Sequence, residues 1–115
     1  MPILADLTDT LNFTEKLIGF SSFECVKYGH VVTIKSNGLK VQFSNINTTL
    51  ITNIPKAYNN ADSHVGTMWY YTTNVIVPVG LVFASSYSSE LMYIMFNTTY
   101  SGYSYEVELT YISAE

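Results

Sequence analysis

Arginine is absent from the 115-residue chain, and charged residues of any kind make up only 12% of it. The five lysines are scattered along the sequence, at Lys16, Lys27, Lys35, Lys40 and Lys56. Proteins that bind a nucleic-acid backbone use clustered lysine and arginine, and guanidinium groups read phosphate and guanine. We therefore expect no nucleic-acid partner.

Cysteine and long apolar runs are also scarce. Cys25 is the only cysteine, so the chain can form neither an internal disulfide nor a metal site of several thiolates. We interpret it as a small buried hydrophobe. The longest uncharged stretch, residues 65–89, is interrupted by Thr, Asn, Pro, Gly and Ser, so no apolar run reaches the roughly twenty residues of a membrane span. The sequence therefore predicts no membrane-spanning segment.

Groups that carry catalysis are few. His30 and His64 are the only histidines, and the sequence has no G-x-S-x-G elbow, no Walker motif and no G-x-G-x-x-G. Asp62 and His64 offer two metal ligands on one loop, without a third at a useful spacing. Glu106 and Glu108 share the polar face of a predicted strand, which favours solvation over catalysis. We expect no enzymatic activity, no catalytic residue, no metal and no cofactor.

Tyrosine is abundant instead, with ten Tyr, six Phe and one Trp beside many Ser, Thr and Asn. Aromatic and β-branched residues favour strands, and alternation with a period of two marks strand-like segments. The alternating segments are 26–34, 39–43, 50–54, 73–84 and 103–111, and two further strand segments, 65–71 and 91–96, are indicated by their apolar residues. Asn37-Gly38 predicts a tight hairpin turn between the first two segments. Pro78 predicts that the strand at 73–84 is split or lies at a sheet edge.

These segments predict an all-β fold. Turn signals recur roughly every 8–12 residues and no long helix is indicated, which is typical of an antiparallel sandwich or closed sheet of seven or eight strands. Residues 21–115 are expected to form this domain, and residues 1–20 a connecting segment or a first strand. His30 is expected on the apolar face of its strand as a hydrogen-bonded core histidine.

Two strands are apolar on both faces. A sandwich strand has one face in water and should alternate, whereas residues 91–96 (LMYIMF) and 68–71 (MWYY) do not. Large exposed apolar patches usually mark association sites, so we expect a homo-oligomer. The alternative is a strand enclosed entirely within one subunit.

Recognition by loops is the remaining function that the residue types support. Tyr together with Ser, Gly and Asn is the composition of adaptable binding surfaces, and predicted turns at 57–62 and 97–103 supply it. Aromatic rings stack on sugar faces while amides and hydroxyls bond the sugar hydroxyl groups. The candidate ligand-binding residues are Tyr58, Asn59, Asn60, Asp62, Trp69, Tyr100 and Tyr103. Each residue alone is equally compatible with a structural role.

Three segments carry a resemblance to a known family. They resemble the C-terminal head or tip domain of bacteriophage tail-fibre and baseplate receptor-binding proteins. VKYGHVVTI at 26–34 is similar to the opening strand of that domain, and YEVELTYI at 105–112 is similar to its closing strand. NIPKAYNN at 53–60 is similar to its proline-containing turn. The chain differs from that pattern in having Ala57 at the glycine of the turn and Asn59-Asn60 at its Arg-Pro pair.

The resemblance implies a jelly-roll-like β-sandwich of about eight strands that assembles as a homotrimer, belongs to the tail tip of a virion and adheres to host-surface glycans. It implies no particular ligand-contacting residue. Two other functions are open from the residues alone: a bacterial carbohydrate-binding module, extracellular or at the cell surface, and a purely structural connector domain.

Overall fold

The computed structural model describes residues 3–59 and 64–115. Throughout this part of the chain the fold is all-β, with short 3-10 turns at Thr8–Thr10 and Thr98–Tyr100 and with no helix long and apolar enough to cross a membrane. The strands are β1 Leu4–Asp6, β2 Asn12–Phe13, β3 Leu17–Gly19, β4 Ser22–Tyr28, β5 Val31–Val41, β6 Thr48–Thr52, β7 Val65–Thr72, β8 Val75–Ala84, β9 Glu90–Met95 and β10 Tyr105–Ile112. The predicted all-β class is confirmed.

The strands form one antiparallel sheet that curls upon itself. Their order is β1-β4-β5-β10-β7-β8-β9-β6-β2, with β3 added beside β5. Nine strands laid flat would place the outer two roughly 38 Å apart. In the chain, β1 and β2 are joined by residues 7–11 alone, which can span at most about 21 Å. The two ends of the sheet must therefore approach each other.

Aromatic packing holds the two ends of the curled sheet together. The ring of Phe13 on β2 lies 5.2 Å from that of Phe23 on β4, edge to face, and Phe20 contacts both rings. In the linking segment, the backbone N–H of Leu7 donates to the carbonyl of Cys25 at 2.8 Å. We call this junction of β2 and β4 the seam.

The concave side of the sheet contains the core. Alternate residues of β10 and β5 point inward and are buried, and the inward residues of β4, β6, β7, β8 and β9 meet them there. Three tyrosines lie fully inside, and each hydroxyl donates to a backbone carbonyl. These bonds join Tyr93 to Gln42, Tyr105 to Tyr100 and Tyr111 to Pro55. The core tyrosines thus attach three loops to the sheet.

The hairpin predicted at Asn37-Gly38 is wrong. β5 runs through both residues from Val31 to Val41, and the hairpin turn is the two-residue loop Gly29-His30 between β4 and β5. Gly38, with a φ of 67°, belongs to a bulge: Tyr105 of β10 faces Leu39, and Val107 faces Ser36. A bulge shifts the alternation by one residue, as a turn would.

The prediction of His30 as a core histidine is wrong for the same reason. The segment 26–34 is two strand ends around a turn, so His30 lies at the tip of the turn and is exposed. Its Nδ1 is hydrogen-bonded to the Glu115 backbone oxygen. The apolar run on either side of the turn made a single strand the simpler interpretation of this sequence.

The prediction that Pro78 splits its strand or lies at a sheet edge is met only locally, because β8 lies between β7 and β9 in the sheet and Pro78 faces Trp69 of β7. β9 pairs with β8 only over Gly80–Ala84, so the missing N–H of Pro78 interrupts no ladder on that side. β8 is nevertheless continuous from Val75 to Ala84, with a bulge opposite Met68 and Trp69.

Candidate functional site

The structure distributes the sequence-predicted binding residues over three places. Tyr100 and Tyr103 come together at one end of the molecule, beside the start of β10. Trp69 lies on the opposite face of β7 from Tyr70. Tyr58 and its neighbour Asn59 lie at the other end of β10, about 23 Å along the strand, where the Tyr58 N–H donates to Ile112. Asn60 and Asp62 fall outside the described residues.

The first of these places is a cluster of three tyrosines, Tyr70, Tyr100 and Tyr103, which we call the tyrosine cluster. The rings of Tyr70 and Tyr100 lie 5.0 Å apart at an interplanar angle of 34°. The ring of Tyr103 is set edge-on against both, at 5.0 Å from Tyr70 and 5.6 Å from Tyr100. Tyr103 remains 46% exposed, whereas the other two are half-buried. One aromatic ring is therefore presented to solvent by two others that support it.

The turn that carries two of these rings is fixed by hydrogen bonds. The Asn97 side-chain oxygen accepts from the backbone N–H of Thr99 at 3.2 Å. The N–H of Tyr103 donates to the Tyr100 carbonyl at 3.3 Å, and the hydroxyl of the buried Tyr105 donates to that same carbonyl. Because the turn is attached to the core, the rings are held in this arrangement by the fold itself.

The third ring comes from a projecting part of the sheet. β10 pairs with β7 only at Thr67, Met68 and Trp69, so Tyr70–Thr72 and their partners on β8 extend beyond the neighbouring strands as a two-stranded ribbon. Exposed apolar side chains line the ribbon: Tyr71 at 58%, Val75 at 49% and Ile76 at 64%. Two-stranded ribbons are marginal alone in water. The contact of Tyr70 with the turn at 97–103 therefore supports the ribbon as well as the cluster.

Tyr70 is the member of the cluster that sequence reasoning missed. The sequence predicts its neighbour Trp69 instead, as an aromatic candidate, but β7 turns Trp69 to the convex side. The burial of Met68 fixes the phase of the strand, and Tyr70, two residues on, must share its face. The sequence pattern can predict which face Tyr70 shares, but it cannot predict that the turn some 30 residues away packs against that face.

Tyr58 borders a separate shallow depression of about 270 Å³ together with His30, Ile112, Ser113 and Ala114. A second depression of about 390 Å³ lies along the link between β1 and β2 and includes Lys27 and Asn53. In the described residues, no group of three or more His, Cys, Asp or Glu is placed to hold a metal ion. Both depressions are open, and the second is lined by polar side chains as well as apolar ones, Glu115 among them.

The convex side of the sheet has an apolar half and a polar half. On β7, β8 and β9, register pairs place Val65 beside Phe83, Phe83 beside Met92, and Leu81 beside Ile94. We call these five residues the apolar outer face. Val65 is 51% and Leu81 44% exposed, and the other three are half-buried. The polar half follows on β10, β5 and β4.

That polar half alternates in charge. Lys35 on β5 stands between Glu108 of β10 and Glu24 of β4, and Thr33 stands beside Thr110. Cross-strand pairs of opposite charge and of hydroxyl groups are stable in water. The convex side thus leaves apolar side chains in water on its β7–β9 half and, in the polar half, at the neighbouring residues Tyr28, Val31 and Ile112.

β9, which the sequence predicts to be apolar on both faces, places one face in the core and the other on the convex side. Leu91, Tyr93 and Met95 are buried in the core of the single chain. Met92 and Ile94 belong to the apolar outer face and stay partly exposed. One chain therefore covers only one face of β9.

Titratable groups inside the sheet are held in their neutral forms. Burial, together with a smaller contribution from the nearby Asp6 carboxylate, raises the pKa of the Cys25 thiol to about 11. Burial also raises the pKa of Tyr93, Tyr105 and Tyr111. A neutral, enclosed thiol is a poor nucleophile, and Cys25 packs as the small hydrophobe that the sequence predicted.

Comparison with known protein families, with curated proteins and with solved structures finds no significant match to this chain. The geometry just described is therefore what bears on function: a presented tyrosine cluster at one end of an all-β domain, and an apolar outer face on its side.

Proposed function

We propose that the chain is a non-enzymatic, receptor-binding tip domain of a bacteriophage tail that adheres to glycans on the host surface. The observation that carries the proposal is the tyrosine cluster. It presents the ring of Tyr103 from a turn bonded to the core, beside hydroxyl and amide side chains. Aromatic stacking with neighbouring hydrogen-bonding groups is the chemistry that retains a sugar ring.

The assignment to a phage tail, to a jelly-roll-like sandwich and to a virion rests on the resemblance of residues 26–34, 53–60 and 105–112 to tail-tip domains. The curled antiparallel sheet is compatible with that architecture. A bacterial carbohydrate-binding module would use the same tyrosine cluster, and the two functions differ in their assembly.

A binding experiment with matched variants tests glycan recognition. The whole chain is applied to a broad glycan array and to intact bacterial cells, and affinities for the retained glycans are measured by calorimetry. We expect Tyr103→Ala to weaken binding by about tenfold or more, which corresponds to about 1.4 kcal/mol. Tyr87→Ala is the control, because Tyr87 is 91% exposed on a different turn. Absence of any glycan or cell binding would favour a structural connector instead.

We further propose that copies of the chain associate through the apolar outer face. Apart from Glu90 at the start of β9, the β7–β9 half of the convex side carries no charge, so a second copy meets little repulsion there between molecules of net charge −4. Covering it would remove Val65, Leu81 and their neighbours from water. The number of three subunits comes from the resemblance to tail-tip domains alone.

Light scattering and sedimentation on the purified chain measure this assembly. We expect an oligomer, and we expect Leu81→Glu to shift it toward the monomer, since a buried unpaired carboxylate is costly. Thr110→Glu is the matched control on the polar half of the same convex side. A wild-type mass of 12.9 kDa at all concentrations would exclude self-association and favour the monomeric carbohydrate-binding module.

A further inference from the structure

We infer that the tyrosine cluster selects neutral saccharides over acidic ones. The inference rests on the proposed function and adds the chemical class of the glycan. It comes from the charges of the elements that build the cluster, from the side of the sheet on which the flanking charges lie, and from the polar groups that neighbour it.

The elements that build the cluster carry no formal charge over their whole length. No Asp, Glu, Lys or Arg occurs between residues 65 and 89, or between residues 91 and 105. These two stretches contain β7, β8, nearly all of β9 and the turn that carries Tyr100 and Tyr103. Proteins hold carboxylate, sulfate and phosphate groups with charged donors, above all arginine and lysine. The cluster offers an acidic sugar none of these on its own elements.

The charges that flank the cluster in sequence and register lie on the other side of the sheet. Glu106 follows the buried Tyr105 and therefore points outward, beside Trp69. Lys40 follows the buried Leu39, the register partner of Tyr105, and likewise points outward. Since successive strand residues alternate between faces, neither side chain projects on the side of Tyr70.

The residues that neighbour the cluster along β7 and on its turn include neutral groups that both donate and accept hydrogen bonds. Thr72 stands on the same face of β7 as Tyr70, roughly 7 Å along the strand. Thr98, Thr99 and Ser101 are borne on the turn itself. Hydroxyl groups match the hydroxyl groups of a neutral sugar, each serving as donor or acceptor as required.

The test compares neutral and acidic oligosaccharides on the same protein. The whole chain is titrated by calorimetry with neutral hexose and N-acetylhexosamine oligomers and with uronic-acid and sulfated oligomers of equal length. We expect binding of at least one neutral oligomer, a loss of about tenfold or more in Tyr103→Ala, and an affinity that does not change with salt. Tyr103→Phe retains the ring and should retain binding.

A second variant reverses the selectivity. We expect Thr99→Lys, which places an ammonium group on the turn, to improve binding of the acidic oligomers and to make it salt-dependent. Binding of acidic oligomers alone by the wild-type chain would overturn the inference and leave glycan adhesion standing. Binding of a neutral oligomer that is unaffected in Tyr103→Ala would overturn the assignment to this cluster. Failure to bind any oligomer, neutral or acidic, would overturn the proposed function itself.

Discussion

At the scale of single residues, Gly80 is a point where β8 passes very close to its neighbour. A Cβ atom at this position would lie 2.4 Å from the carbonyl oxygen of Ile94 and 3.1 Å from the Cα of Met95. Both contacts are with the backbone of the paired strand β9, so neither can be relieved by turning a side chain. Close backbone approach explains a glycine within this strand.

We expect Gly80→Ala to lower the free energy of unfolding by about 2 kcal/mol, because overpacking against a rigid neighbour costs this much. Urea denaturation followed by the fluorescence of Trp69 measures the change. Gly19→Ala is the matched control on β3, where a Cβ would meet no heavy atom within 4 Å. Its stability should stay within about 0.5 kcal/mol of wild type. Equal losses in the two variants would contradict the explanation.

At the scale of strands and turns, the sequence predicts which segments are strands better than it predicts which strands pair. The predicted segments 65–71, 73–84 and 103–111 correspond to β7, β8 and β10, and the first part of the segment 39–43 corresponds to the end of β5. The hairpin predicted at Asn37-Gly38 is wrong because a turn and a bulge both shift the alternation of inward and outward residues by one position. Gly29-His30 has a weaker turn signal, yet it lets seven residues of β4 pair with β5. Long-range pairing therefore decided between two locally acceptable turns.

The same holds for the candidate site: the sequence predicts individual residues better than it predicts which of them lie together. Composition and turn signals were enough to single out Tyr100 and Tyr103. The addition of Tyr70 and the separation of Tyr58 from the cluster depend on the position of β7 and on the length of β10, neither of which a local pattern contains.

The hydrogen bond from the Tyr105 hydroxyl to the Tyr100 carbonyl connects the turn of the tyrosine cluster to the core, and removing it tests how the turn is held. We expect Tyr105→Phe to cost about 1–2 kcal/mol, because the Tyr100 carbonyl loses its buried donor. Hydrogen exchange should accelerate at the amides of Ser101 and Tyr103, whose hydrogen bonds close the turn. Exchange measured by NMR provides the readout.

Tyr111→Phe is the matched control for that variant. It removes a hydroxyl from the same strand and the same face, but the hydroxyl of Tyr111 donates to Pro55 at the other end of β10. We expect a similar loss of stability with unchanged exchange at Ser101 and Tyr103. Acceleration at these two amides in both variants would mean that they exchange by unfolding of the whole chain, not by local release of the turn.

At the scale of the whole molecule, the curl of the sheet depends on its N-terminal strands. Residues 4–19 supply β1 and β2, which are the two ends of the sheet, and β3, which pairs with β5, and Phe13 closes the seam against Phe23. The sequence left residues 1–20 as a connecting segment or a first strand, because strands of two or three residues are too short to show alternation. Their stability comes from the seam and not from their own composition.

Closing the sheet around Cys25 and three tyrosines makes stability fall in alkali. The pKa of Cys25 is raised from 9.0 to about 11, and the tyrosine pKa values are raised above 10.0. As the pH rises, the unfolded chain therefore loses these protons before the folded chain does. The stability they contribute is complete below pH 9 and is lost as the pH rises through the folded pKa values. Cys25 alone should account for about 2 kcal/mol by pH 11.

Urea denaturation at successive pH values separates the two contributions. In wild type the free energy of unfolding should begin to fall near pH 9, where the unfolded thiol ionises, and fall more steeply once the unfolded tyrosines follow. Cys25→Ala lowers stability at every pH by leaving a small cavity, but it should delay the onset of the decline by about one pH unit, to the ordinary tyrosine pKa of 10.0. Because the variant still contains Tyr93, Tyr105 and Tyr111, its decline above that pH must persist. A pH profile for Cys25→Ala parallel to that of wild type between pH 9 and 10 would mean that water reaches the thiol, and hence that the seam beside it is open in solution.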